Sequence, residues 1–296
     1  MNKTFINYEN DSSKTKKGVL LILFLMLTFG IYKNGFKYYQ TNLLGAHDVL
    51  KIVLYPIISI IIQVIYIKII QKKSLKSEDI IESLVLAILL PVRFPLSLYL
   101  VTLLIYFLVK YFFKQKINTI SLICLYKVFI MICNAFLGLN YENIIENSNP
   151  YFYGIVATLF GSSVGGLGTT NIFLIIILFL IMQNDFYYKK SLVFYMLMPF
   201  FLLTILSDAL TTHNIIITNL LNSDIVFASV FLLPEPGKSP AVPTVAKIYA
   251  FLIGIFSFLL VNFFSLNDMV YLVILSFQII WSVVLYYEKI KLHKKN

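Results

Sequence analysis

Charge is scarce in this chain. Only 13% of its 296 residues are charged, against about 25% in an ordinary soluble domain. Arginine is scarcer still, with Arg93 the only one. Cysteine is limited to Cys124 and Cys133, and histidine to His47, His213 and His293. Each shortage excludes something. Cys124 and Cys133 lie on opposite faces of one expected helix, ~13.5 Å apart along its axis, so they neither form a disulfide nor share a metal. The histidines fall at span ends or in the C-terminal tail, which leaves no axial ligands for a stack of b-haems. Lysine without arginine suits point-charge anchoring at headgroups, not bidentate phosphate or base recognition. The net charge of +10 is therefore an orientation signal, with no nucleic-acid partner.

What the chain does have is apolar residues, 59% of the total, and a mean hydropathy of +0.85. A transmembrane helix takes about 20 such residues. Apolar runs fall at about 18–32, 52–70, 80–90, 96–113, 117–137, 151–182, 192–206, 214–233, 245–264 and 269–287. The sixth is interrupted by glycines. Ten spans would use roughly 200 positions, which leaves no separate soluble domain. The expected organisation is an N-terminal cytoplasmic tail at 1–17, one polytopic membrane unit at 18–287 and a basic cytoplasmic tail at 288–296. The first run has no small-residue cleavage site behind it and is expected to be a retained helix.

Lysine placement sets the orientation. With the N-terminus inside, all but five of the 24 cations fall in inner regions; Lys33, Lys37, Lys51 and Arg93 fall outside and Lys127 within a span. The outer loop at 140–150 holds Glu142 and Glu146 and no cation. Both termini are thus expected in the cytoplasm of a multi-pass cell-membrane protein.

Two segments resemble each other. Ser77-Glu78-Asp79-Ile80 leads to Leu89-Leu90-Pro91, and Ser223-Asp224-Ile225-Val226 leads to Leu232-Leu233-Pro234. In each, a short helix ends at Leu-Leu-Pro and a long apolar helix follows. The lysine map puts the first proline turn outside and the second inside, as two five-helix halves of opposite topology require. The expected fold is an all-α integral membrane protein of about ten helices in two inverted halves, about 18–139 and 151–287, with Pro- and Gly-broken helices. Such folds commonly hold a binding site between the halves.

The sixth run contains Gly161-Ser162-Ser163-Val164-Gly165-Gly166-Leu167-Gly168-Thr169-Thr170-Asn171. Glycines permit close backbone approach and positive φ, and successive N–H groups form anion-binding concavities. A helix starting near Thr169 would aim its N-terminus there. Gly161, Ser162, Ser163, Gly165, Gly166, Gly168, Thr169 and Thr170 are thus candidates for contacting a phosphate or a flavin. Close helix packing through small residues accounts for the same cluster equally well.

At this point the sequence resembles the RnfD/NqrB family, the membrane flavin-binding proteins of the Rnf electron-transport complex and of the sodium-pumping NADH:quinone oxidoreductase. Three places carry the resemblance. Leu90-Pro91-Val92-Arg93-Phe94-Pro95-Leu96 echoes the family's Leu-Pro-x-x-x-Pro-Leu turn. Val164-Gly165-Gly166-Leu167-Gly168-Thr169-Thr170-Asn171 loosely echoes its Pro-Gly-Ser-x-Gly-Glu-Thr-Ser segment. Pro234-Glu235-Pro236-Gly237-Lys238-Ser239-Pro240-Ala241-Val242-Pro243 matches its Thr-Asp-Pro-x-x-Ser-Pro-x-x-Pro pattern. The family's Ser-Gly-Ala-Thr, whose threonine bonds FMN covalently, has no counterpart in Leu139–Pro150, and the Asn-Pro-Phe-Asn-Pro segment after the fourth helix is also missing.

The resemblance implies a shortened, divergent relative that holds FMN or riboflavin non-covalently. Such a relative would be similar to the membrane component of Gram-positive extracellular electron-transfer systems. Arg93, Glu235, Lys238 and Ser239 at the proline turns join the flavin candidates. The implied job is to pass electrons across the bacterial cytoplasmic membrane, with coupling to ion transport or to extracellular electron transfer left open. The implied partners are other subunits of a membrane redox complex, including an extracytoplasmic flavin-binding protein, and the chain alone would not be catalytic. An ion or small-solute transporter on the same fold is the second possibility, and an inert anchor for other subunits the third. In the transporter reading, Asp224, Lys127 and Asp208 would bind cargo or ions. Against this, Lys127 also reads as a snorkelling lysine and Asp224 as a helix cap.

Overall fold

In the computed structural model, two short helices are more deeply buried than the long ones around them. The structure describes residues 3–41, 44–113, 119–137, 158–162, 165–185, 188–211, 222–235, 237–264, 266 and 268–293. Helix α1 (Lys3–Ile31) continues through a π-helical segment, Tyr32–Lys37, into a last turn, Tyr38–Gln40. The polar N-terminal stretch is thus helical and continuous with the first apolar run. Helix α2 (Ala46–Ile65) likewise runs into a π-helical segment, Tyr66–Gln71. The short α3 (Ser77–Ile88), α4 (Leu96–Phe113) and α5 (Leu122–Leu137) follow.

A turn at Thr158–Ser162 precedes α6 (Ile172–Met182) and α7 (Lys190–Thr211). The second short helix, α8 (Ser223–Phe227), continues as a π-helical segment, Ala228–Leu232. Then come α9 (Pro243–Phe264) and α10 (Met269–His293). All described elements are helical. Among the described residues, five stretches are long and apolar enough to cross a membrane, at Ser13–Gln40, Ala46–Gln71, Lys190–Leu210, Pro243–Phe264 and Met269–Tyr287. Shorter apolar helices accompany them.

The burial pattern is that of a protein in lipid. Residues Ser83–Ile88 of α3 and all of α8 are buried. The long helices turn apolar side chains outward, among them Phe24, Ile61, Leu104, Leu206, Phe256 and Ile280. A helix that is apolar on every face belongs in a core or a bilayer. Helix α3 is clasped by α1 and α2; α6 packs on α8, and α6 and α7 pack on the π-helical segment that continues it. Helices α7 and α9 make the most extensive pair. Their approach depends on Gly254, where a side-chain carbon would fall 2.2 Å from the Met196 carbonyl oxygen.

The short helices end where their sequences dictate. Helix α3 starts at a capping turn in which the Lys76 N–H donates to Asp79 Oδ2 at 3.0 Å, and Pro91 prevents its continuation. Helix α8 starts at Asn222, whose side-chain oxygen accepts from the Asp224 and Ile225 N–H groups at 3.1 and 3.3 Å. Asp224 is therefore not the cap that its position in sequence offered; Asn222 takes that role, and the Asp224 carboxylate is released for other partners. Helix α6 starts at Ile172, three residues beyond Thr169, with Asn171 Oδ1 accepting from the Leu174 N–H at 3.1 Å.

Candidate functional site

The last carbonyls of a helix have no partner within it. At the end of α3, three consecutive ones are satisfied from elsewhere in the fold. Ile88 O accepts from the Gly168 N–H at 3.1 Å, and Leu90 O from the Leu167 N–H at 2.7 Å. Leu89 O accepts from Lys127 Nζ at 2.9 Å. The glycine-rich segment is thus fastened to the end of α3 by its backbone.

The glycines make that fastening possible. A side-chain carbon at Gly166 would lie 2.8 Å from Ile88 O, and one at Gly168 2.9 Å from Ile88 Cγ1. On the other side, a carbon at Gly30 of α1 would lie 1.9 Å from Leu167 O, and the buried Asn34 amide donates to that same oxygen at 3.0 Å. The space beside these glycines is filled by protein. Gly161, at φ 120°, has the Phe29 ring where a side chain would go.

Across from the end of α3 stands the start of α8. Asp224 Oδ1 accepts from Thr169 Oγ1 at 2.9 Å and from Tyr271 Oη at 3.3 Å. Lys127 Nζ pairs with Asp268 Oδ1 at 3.0 Å and lies 5.6 Å from the centre of the Tyr271 ring. Lys127 is 1% exposed, so it does not snorkel: its ammonium is held inside the bundle. The half-helix ends, the glycine-rich segment and this charge cluster form one buried node.

A second place is open. Between the first turns of α3 and the end of α8 lies a cavity of about 510 Å³. Its walls include Lys16 and Val19 of α1, Glu78, Ile81 and Glu82 of α3, and Tyr106 of α4. Thr15, Ser121–Ile123, Met182, Asp185, Tyr188, Phe231, Pro234, Glu235 and Lys238 complete it. Glu82 is fixed by hydrogen bonds from Tyr106 and from the Lys110 ammonium, with the Gln63 amide at 3.3 Å. Lys16 pairs with Glu78 at 2.6 Å, and that hydrogen bond holds the Glu78 carboxyl below the usual carboxylate range. Lys238 donates to Ile120 O at 2.8 Å and stands 4.0 Å from Glu235. Burial pushes the Glu235 carboxyl up, and Lys238 opposes the shift.

The sequence candidates therefore separate. Gly165, Gly166, Gly168, Thr169 and Thr170 belong to the buried node with Asp224 and Lys127. Glu235 and Lys238 line the cavity. Ser239 is beside it, its hydroxyl taken by Lys189 Nζ at 3.0 Å. Arg93 is on the exposed side of the first proline turn, and Asp208 is buried near the end of α7. Ser162 closes the turn Thr158–Ser162, whereas Ser163 and the loop Leu139–Pro150 lie outside the described residues.

Sequence reasoning missed Asp268, Tyr271, Glu82 and Tyr106. Asp268 stands immediately before an apolar run and reads as a loop residue. Glu82 alone carried a usable signal, as a carboxylate inside the run at 80–90.

The model of the NQR2, RnfD, RnfE family matches residues 1–292. No curated protein matches the chain.

Proposed function

The chain belongs to the NQR2, RnfD, RnfE family, and from that premise we propose that it is the membrane subunit of a bacterial redox complex that holds a flavin without a covalent bond and passes electrons across the membrane. Family members are subunits of multi-subunit Rnf and Nqr complexes. The observation that carries the flavin part is the cavity. Its volume, about 510 Å³, lies within the range of small-molecule sites, about 300–1,000 Å³. Tyr106, Tyr188 and Phe231 offer apolar faces to a ring system, and Lys16, Glu235 and Lys238 offer polar groups at its edge. These residues fit a flavin. The glycine-rich segment fits one less well, because protein atoms fill the space that its missing side chains leave.

A bound flavin would supply the redox chemistry. The residues of the chain would bind and orient it. Lys238, fixed by Ile120 O, would present its ammonium to a carbonyl or phosphate oxygen, and the Tyr106–Glu82 hydrogen bond would keep the cavity wall rigid.

The proposal includes ten spans in two inverted halves with both termini cytoplasmic, and an extracytoplasmic flavin-binding protein among the partners. The helix order supports the halves: a short, buried helix occupies the third place after α1 and α2, and again after α6 and α7. Pro56 lies within α2 and Pro199 within α7. Pro91 lies 35 positions after Pro56, and Pro234 lies 35 positions after Pro199.

Purified protein should show a flavin absorbance spectrum, with flavin released by denaturation. Ile81→Trp, which fills the cavity, should abolish it in protein that remains monodisperse in detergent. Flavin-free wild type, or flavin retained by the filled variant, would overturn the proposal. The buried charges at Lys127, Asp224 and Asp268 favour a second reading, an ion or small-solute transporter; solute flux in vesicles containing this chain alone would move the weight to it.

A further inference from the structure

Among the described residues, the formal charges at the buried node do not cancel. Asp224 and Asp268 bring two carboxylates and Lys127 one ammonium, and Asp224 lies within electrostatic reach of both others. The seat of the ammonium is particular. It takes the Leu89 carbonyl at 2.9 Å and Asp268 Oδ1 at 3.0 Å, with the Tyr271 ring face 5.6 Å away. Leu89 closes the last turn of a short helix, so its carbonyl belongs to the negative end of the helix dipole. In broken-helix transport folds, helix-end carbonyls and unwound backbone near the bilayer midplane coordinate a coupling cation. Here the cation arrives on a side chain rooted in α5.

We infer that Lys127 is a tethered cation filling a monovalent-cation site formed by the Leu89 carbonyl and Asp268, with the Asp224 charge nearby, so that this chain takes no free alkali cation there. A plain structural ion pair is the competing account. It requires Asp268 alone, and removing one partner would leave an uncompensated buried charge that no particular salt relieves. A cation site keeps its oxygens when Lys127 is shortened, and a free alkali ion refills it. The inference does not depend on the flavin proposal.

The test compares full-length wild type, Lys127→Ala and Lys127→Ala/Asp268→Asn, each purified in NaCl, KCl or choline chloride at equal ionic strength. Wild type should melt at the same temperature in all three. Lys127→Ala should melt about 5 °C higher in an alkali salt than in choline when the ion is at a hundredfold excess over its Kd, or should be recovered folded only in an alkali salt. The double variant should lose that preference. The inference is overturned if wild type is itself stabilised by Na+ or K+ over choline, if Lys127→Ala folds with no ion preference, or if it is recovered in none of the three salts.

Discussion

The Leu167 N–H donates to the Leu90 carbonyl across 2.7 Å, and with the Gly168–Ile88 bond it joins the glycine-rich segment to the end of a helix far away in sequence. Gly30 and Asn34 close on Leu167 from the opposite side. The segment is thus gripped between α1 and α3, and its glycines serve that grip.

Gly166→Ala should therefore destabilise. The added carbon would meet Ile88 O and the Leu89 backbone, which cannot swing aside as a side chain can. Overpacking of this kind costs about 1–3 kcal/mol. A carbon at Gly45 would meet only Asp48 Oδ2 at 3.9 Å, so Gly45→Ala meets no packing obstacle and should lose only the roughly 0.5–1 kcal/mol by which alanine is the poorer helix N-cap. Melting temperatures in detergent check both. The folded fraction of Gly166→Ala should keep its flavin; selective loss of flavin with unchanged melting would return the cofactor to the glycine-rich segment.

The sequence exposed the fold more fully than the site. Runs of apolar residues and two Leu-Leu-Pro endings carried the all-helical fold and its two short helices, because a bilayer leaves little choice over length and composition. The node was only half legible. Asp224 and Lys127 stand out as charges in apolar runs, but their partners come from residues that look like loop or belt, Asp268 and Tyr271. Nothing local marks those two, because their role arises where α5, α8 and α10 meet. The glycines were visible, yet whether they face a ligand or a helix end depends on Ile88 and Leu167, which the pattern around Gly166 does not reveal.

The lysine map makes a topological prediction. In a cysteine-free background, a cysteine at Tyr141 should react with a membrane-impermeant maleimide added to intact cells. One at Lys190, in the first turn of α7, should react only after the membrane is opened. The reverse labelling would invert the orientation and put the mouth of the cavity, beside the Pro234 turn, on the outer side.

Without a Ser-Gly-Ala-Thr motif, the flavin should leave the chain on denaturation. A denaturing gel under ultraviolet light should show no fluorescent band at the mass of this chain. A band that survives would mean covalent attachment, with Thr169 and Thr170 the first residues to replace.

Glu235 should make the cavity sensitive to pH. Burial raises its carboxyl above the ordinary value, with Lys238 opposing; an unfolded glutamate titrates near pH 4.3. Below that pH both states are protonated and Glu235 costs the fold nothing. As pH rises from there towards the raised folded value, the unfolded chain loses its proton first, so stability falls. The full cost is present above the folded value. Glu235→Gln should thus match wild type near pH 4 and exceed it at neutral pH. The same ionisation acts on a ligand. A carboxylate ~10 Å from a phosphate, at an effective dielectric near 20, weakens binding by about tenfold. FMN affinity should fall as pH rises through the Glu235 titration, while riboflavin, which has no phosphate, should hold its affinity. Fluorescence-quenching titrations of both flavins from pH 5 to 8, with wild type and Glu235→Gln, separate the cases. If the FMN and riboflavin curves stay parallel in wild type, Glu235 does not face the ligand, and the flavin must be sought outside this cavity.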